Sequence, residues 1–114
     1  MKRTHTCGAL KKSDVNKKIV LAGWVNKWRD HGGLLFIDLR DRYGKTQIVF
    51  NPELNADVYE QAKMLRMEDV VQISGTVSER PAEMVNRDMR TGEIEVSADG
   101  VHILNKSKTT PFEI

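Results

Sequence analysis

The strongest constraint on the fold lies in residues 34–51, LLFIDLRDRYGKTQIVFN. Two runs with strand character, Leu34–Arg40 and Lys45–Asn51, flank Asp41-Arg42-Tyr43-Gly44, which reads as a turn with glycine at its last position. Successive strand side chains leave opposite faces, so the turn sets the partners. With Arg40 opposite Lys45, Leu39 opposes Thr46, Ile37 opposes Ile48 and Leu35 opposes Phe50. These last three pairs form the core face. The other face pairs Asp38 with Gln47 and Phe36 with Val49, and adds Arg40 with Lys45. The register that buries the best core therefore leaves Phe36 outside, on a polar and charged face.

The flanking segments supply the remaining elements. Ile19–Asp30 is β-branched and aromatic, with Gly23 as a place for a long strand to bend or bulge. His31-Gly32-Gly33 reads as a turn. Asn51-Pro52-Glu53 reads as a helix or turn start, and residues 55–66 place Val58, Ala62 and Leu65 on one helical face. Val70–Val77 is a fourth strand, residues 78–92 a polar loop, and Glu93–Leu104 a fifth strand with a candidate break at Asp99-Gly100. Five strands with one helix between the third and fourth is the element order of an OB-fold, an all-β, five-stranded Greek-key barrel. A ferredoxin-like fold would require a second helix, and none is visible. Residues 1–104 are expected to form this domain, with 105–114 as a linker leading elsewhere.

At 114 residues the chain fits one domain, and 39% apolar with 30% charged residues is an ordinary globular composition. Its apolar stretches are too short to span a bilayer, so no membrane partner is expected. No apolar stretch of signal-peptide type follows Met1-Lys2-Arg3. The single cysteine, Cys7, excludes an internal disulfide and a multi-cysteine zinc site, and reads as a small packing residue. A reducing, cytoplasmic setting fits. Net charge is +2, but residues 1–50 carry 11 basic and 4 acidic side chains while residues 51–114 carry 7 and 12. A basic half suits a polyanion, although a solvated surface is the commoner cause of such runs.

The outward Phe36 has two readings. The helix or a loop covers it, or it is a platform on which an unpaired base stacks. In the second reading Gln47, on the same face, offers both donor and acceptor to a base edge. Arg29, beside the Gly-Gly turn, suits phosphates and base edges, or pairs with Asp30 or Asp38. Lys27 suits phosphate contact. Trp24 reads as core, and Trp28, among charged neighbours, as a second stacking candidate. Inward Ile94 and Val96 turn Glu93 and Glu95 outward, where a carboxylate is either solvated or accepts the N1–H and N2–H of guanine. His5, His31 and His102 lack metal-ligand spacing, and no phosphate-binding or nucleophile motif is present. Asp38 and Asp41 read as surface charges. The chain alone is expected to perform no covalent chemistry.

Cys7-Gly8, GWVNKWRDHGGLLFIDLRDRYGKTQIVFNP (23–52), ISGTV (73–77), NRDMRTGEIEV (86–96) and HILNKS (102–107) together resemble the N-terminal anticodon-binding domain of bacterial aspartyl-tRNA synthetases. The resemblance implies an OB-fold that binds the G-U-C anticodon loop of aspartate tRNA. It implies that Phe36 stacks on the central uridine, Gln47 reads that uridine, Arg29 lies near the third base and Glu95 reads the first-position guanine. His31 resembles a residue associated with relaxed members, which charge asparagine tRNA as well. Many relatives carry three arginines where this chain has Lys27-Trp28-Arg29, so Trp28 removes a charge there. The loop 80–85 is poor in basic and amide groups, and no contact is carried over to it. The fragment itself is expected to need no cofactor. The full-length enzyme implied is a homodimer that uses ATP and Mg²⁺ through a class II catalytic domain.

Overall fold

The computed structural model describes residues 3–80 and 92–105, apart from the His31 side chain. In chain order the elements are β1 (Lys18–His31), β2 (Leu34–Asp41), β3 (Gly44–Phe50), helix α1 (Ala56–Lys63), β4 (Val70–Glu79) and β5 (Ile94–Asn105). Hydrogen-bonded neighbours run β1-β2-β3-β5-β4 and close into a barrel. This is the expected all-β OB-fold with one helix between the third and fourth strands. All pairings are antiparallel except β3 with β5, where Ile48 faces Val96 and Val49 faces Ser97 in parallel.

The β2–β3 ladder has the register that period two predicts, from Arg40↔Lys45 through Ile37↔Ile48 to Leu35↔Phe50. Its inward set, Leu35, Ile37, Leu39, Ile48 and Phe50, joins Ile19, Leu21, Val25, Val71, Ile73, Ile94 and Val96 in one core. Val58, Ala62 and Leu65 of the α1 region add to that core, as their helical spacing predicts. At about 25 cal/mol per Å² of apolar area, this contiguous burial is the main term holding the barrel together.

Of the two readings of Asn51-Pro52-Glu53, the structure takes the turn, in which the Asn51 side chain accepts from the Glu53 N–H at 2.9 Å. The helix lies within 55–66, with Asn55 as its cap, accepting from the Val58 N–H at 3.1 Å. Three local readings need correction. Strand β5 does not break at Asp99-Gly100. Gly75 pairs with Ala98 and Ser74 with Gly100, so Asp99 is an extra residue bulged out of a continuous strand. Trp24 is half-buried and lies outside the core, because it alternates with Gly23 and Val25, which point inward. Asp41 is buried rather than a surface charge: it accepts from the backbone N–H groups of Cys7, Tyr43 and Gly44 at 2.8, 2.8 and 3.1 Å. That carboxylate ties the N-terminal segment to the β2–β3 turn. Cys7 is fully buried, as its packing reading implies, and burial pushes its thiol far up.

Candidate nucleic-acid interface

Strand β1 carries the device that builds the interface. From Ile19 to Val25 its odd-numbered residues point into the core. Strict alternation would send Lys27 and Arg29 inward as well. The β1–β2 register shifts between Val25 and Lys27, so that Val25 faces Leu39 while Lys27 faces Asp38. Asn26 is therefore the extra residue of a bulge, and every side chain beyond it changes face. Lys27 and Arg29 now share the outer face with Phe36, Asp38 and Gln47, and Arg29 lies directly opposite Phe36. Gly23 has a different task from the bulge that its sequence position suggests. A Cβ there would overlap the Arg40 carbonyl oxygen, so it permits close approach of β1 to β2.

On this face the polar groups form one chain. An Arg29 Nη2–H donates to Gln47 Oε1 at 3.0 Å, and the same nitrogen lies 3.4 Å from Asp38 Oδ1. Gln47 Nε2–H donates to Glu95 Oε1 at 3.1 Å. A cation on one side and a carboxylate on the other fix which way the amide points. Gln47 sits at 2% exposure, so an unsatisfied amide would be costly there, and the chain satisfies it. One amide hydrogen, one lone pair on Oε1, and further Arg29 and Glu95 sites remain for a ligand. Burial raises the Glu95 carboxyl above the usual glutamate range, while the Gln47 hydrogen bond and then the Arg80 charge oppose the rise.

The remaining site residues divide. Phe36 lies outside the core, between the inward Leu35 and Ile37, but it is only 5% exposed. The expectation of a ring open to solvent is therefore corrected. Strand parity fixes the face from which a side chain leaves, and does not say what neighbouring elements lie over it. Asp38, also 5% exposed, is likewise no surface charge. Lys27 is exposed on the same face. Trp28 is 38% exposed, but the bulge puts it opposite Ile37, on the other side of the ladder from Arg29 and Phe36. The backbone of His31 pairs with Leu34, and its side chain lies outside the described residues, as does most of the loop 78–92. Sequence reasoning missed Arg80, which is 7% exposed, with its Nε–H donating to the Ile94 carbonyl at 2.9 Å. A separate groove of about 330 Å³, lined by Val20, Gln72, Ser74, Gly100, Val101 and His102, shares no residue with this face.

A family model for an OB-fold nucleic acid binding domain of tRNA anticodon type matches residues 19–104. The chain belongs to the anticodon-binding OB-fold family. Among curated proteins it is 58% identical over 114 residues to the aspartate–tRNA(Asp/Asn) ligase of Desulfatibacillum aliphaticivorans, with all of this chain and 19% of that protein covered. The ligase of the same name from Salinibacter ruber is 56% identical over 112 residues, covering 98% of this chain and 18% of that protein. The chain thus spans about a fifth of the length of the relatives it matches, at their N-terminal part. Among solved structures, asparaginyl-tRNA synthetase from Pyrococcus horikoshii superposes with a TM-score of 0.79 at 26% identity, covering 97% of this chain and 24% of that chain. An OBody bound to hen egg-white lysozyme gives 0.85 at 25% identity, covering 99% of this chain and 98% of that one. This anticodon-binding OB domain is therefore of the type found in aspartyl- and asparaginyl-tRNA synthetases.

Proposed function

We propose that this OB domain reads the G-U-C anticodon loop of aspartate tRNA for an aminoacyl-tRNA ligase. The single observation that carries the reading is the Arg29–Gln47–Glu95 chain beside Phe36 on one outer face. Each member has the chemistry its base requires. Glu95 accepts from the N1–H and N2–H of the first-position guanine. Gln47 turns its remaining lone pair and amide hydrogen to the N3–H and a carbonyl of the central uridine. Phe36 gives that uridine a stacking surface, worth about 1–3 kcal/mol. Because the ring is 5% exposed, stacking follows displacement of what covers it. Arg29 lies toward the third base, and Lys27 contributes phosphate attraction and salt dependence. Trp28, although it leaves the other side of the ladder, and His31 are secondary contacts in this reading.

In the same reading, residues 105–114 lead to a class II catalytic domain in the longer protein. That protein is a homodimer that attaches aspartate to tRNA with ATP and Mg²⁺. Acceptance of asparagine tRNA as a second partner follows if it is a relaxed member. All that chemistry lies outside this chain, whose residues contribute affinity and selectivity.

The test is a titration of the domain with anticodon stem-loops of aspartate and asparagine tRNA, which differ at the third anticodon base, and with a scrambled loop. Preference for the aspartate loop over the scrambled one is expected. Gln47→Ala and Phe36→Leu should each weaken it, by about tenfold for the lost stacking. Phe36→Leu keeps an apolar side chain of similar size and removes the flat ring, so folding is spared. Equal affinity for all loops, insensitive to Gln47→Ala, would leave a sequence-tolerant single-strand binder instead. Silence with every RNA would leave a protein-interaction module.

A further inference from the structure

Arg80 stands immediately beyond β4, where the charge pattern of the loop gave no reason to single it out. It is 7% exposed, and burying a guanidinium is unfavourable unless its donors and charge are met. Two of its groups hold the start of β5. Its backbone N–H donates to the Glu93 carbonyl at 3.0 Å, and its Nε–H donates to the Ile94 carbonyl at 2.9 Å. Glu95 is the next residue. The charge of Arg80 is felt by both carboxylates of the outer face, Asp38 and Glu95, and by Arg29. We propose that Arg80 is a positioning residue of the anticodon reader, fixing the backbone on either side of the Glu93–Ile94 bond and presenting Glu95 to the first anticodon base.

This rests on the reading of Glu95 given above and extends it to a residue that acts on Glu95 through the start of β5. The groups facing Glu95 come from several elements. Gln47 arrives from β3 with its hydrogen bond, Ser78 lies opposite on β4, and Arg80 follows β4. Arg29 of β1 and Asp38 of β2 reach it through Gln47. Burial drives the Glu95 carboxyl up, the Gln47 bond opposes this, and the Arg80 charge opposes it next. Removing that charge leaves burial less opposed, so the carboxyl takes up a proton at a higher pH. A protonated carboxyl has one acceptor oxygen fewer for the paired N–H groups of guanine. Arginine suits this position over lysine because its Nε–H donates to a carbonyl while its terminal nitrogens carry the charge onward, whereas lysine has a single nitrogen for both.

The experiment compares the parent domain with Arg80→Met and Arg80→Lys, each first checked by circular dichroism. Two quantities are read. One is the titration of the Glu95 carboxyl by ¹³C NMR without RNA. The other is the affinity ratio between stem-loops with guanine and with adenine at the first anticodon position, from pH 5 to 8. For Arg80→Met the expected result is a higher Glu95 midpoint, a guanine preference that fails at a higher pH, and about a tenfold smaller ratio at neutral pH. Arg80→Lys should keep the midpoint nearer the parent's but still shrink the ratio, because the bond to Ile94 is lost. A folded Arg80→Met domain with unchanged midpoint and ratio overturns the proposal. If Arg80→Met does not fold, an unchanged ratio in Arg80→Lys overturns it. A parent without guanine preference overturns the anticodon reading itself, whatever the Glu95 midpoint does.

Discussion

Gln47 is held from both sides, by the Arg29 guanidinium at 3.0 Å and the Glu95 carboxylate at 3.1 Å. Both neighbours aim the amide, so a base that meets the remaining amide hydrogen and lone pair finds them already oriented, and no polar group is stranded. Glu95 shows what such a site does to the fold. Its carboxyl is raised chiefly by burial, so ionisation is harder in the folded state than in the unfolded one. The fold therefore loses stability as pH rises through that raised value and regains it on acidification. Glu95→Gln keeps an acceptor for Gln47 and removes the buried charge. It should melt at a higher temperature at neutral pH, with a flatter pH dependence, while losing preference for guanine. Thermal melts from pH 4 to 8 beside the stem-loop titration check both halves. A lower melting temperature at neutral pH would show that the charge is a net stabiliser. At this scale the sequence was only partly legible. Parity placed Phe36, Asp38 and Gln47 on one face, but the near-complete burial of Phe36 and Asp38 depends on neighbours that alternation does not describe.

With Asn26 in the chain, the bulge there decides which face Lys27 and Arg29 take. Alternation carries Ile19, Leu21 and Val25 into the core, and one inserted residue turns Lys27 and Arg29 to the outer face. Deleting Asn26 removes the bulge but leaves the register on either side, so that Lys27 follows Val25 directly and still faces Asp38, and Arg29 still faces Phe36. Stem-loop affinity should then stay close to the parent's. A fall of about tenfold or more in a deletion variant that still shows a β-rich spectrum would mean that the bulge shapes the face beyond setting its parity. The β2–β3 hairpin was fully legible because a turn with glycine at its end fixes where counting starts, and period two does the rest. The bulge was not, because a polar Asn26 after the inward Val25 fits plain alternation, whereas Gly23 carries the residue type that suggests one. The helix start was legible only as two candidates. Asn51 and Asn55 are both good caps, and Pro52 favours the first, yet the fold uses Asn51 for a turn and Asn55 for the helix.

Across the whole molecule, charge and closure meet at the same place. The first half of the chain, with 11 basic and 4 acidic residues, supplies the Lys27 and Arg29 side of the face, and the acidic second half supplies Glu95. The two halves are joined around the barrel by β1 with β4, a long antiparallel ladder, and by β3 with β5, where the described register comprises only Ile48↔Val96 and Val49↔Ser97. The Gln47–Glu95 hydrogen bond stands at the edge of that short parallel join. A barrel opens first where it is least stitched, and an RNA loop gripping Gln47 and Glu95 together would act as a suture across the gap. Amide protons of residues 47–49 and 95–97 should therefore exchange with solvent sooner than those of the β1–β4 ladder in the free domain. They should slow most when the aspartate stem-loop is added, so that decoding one triplet also locks the container that decodes it.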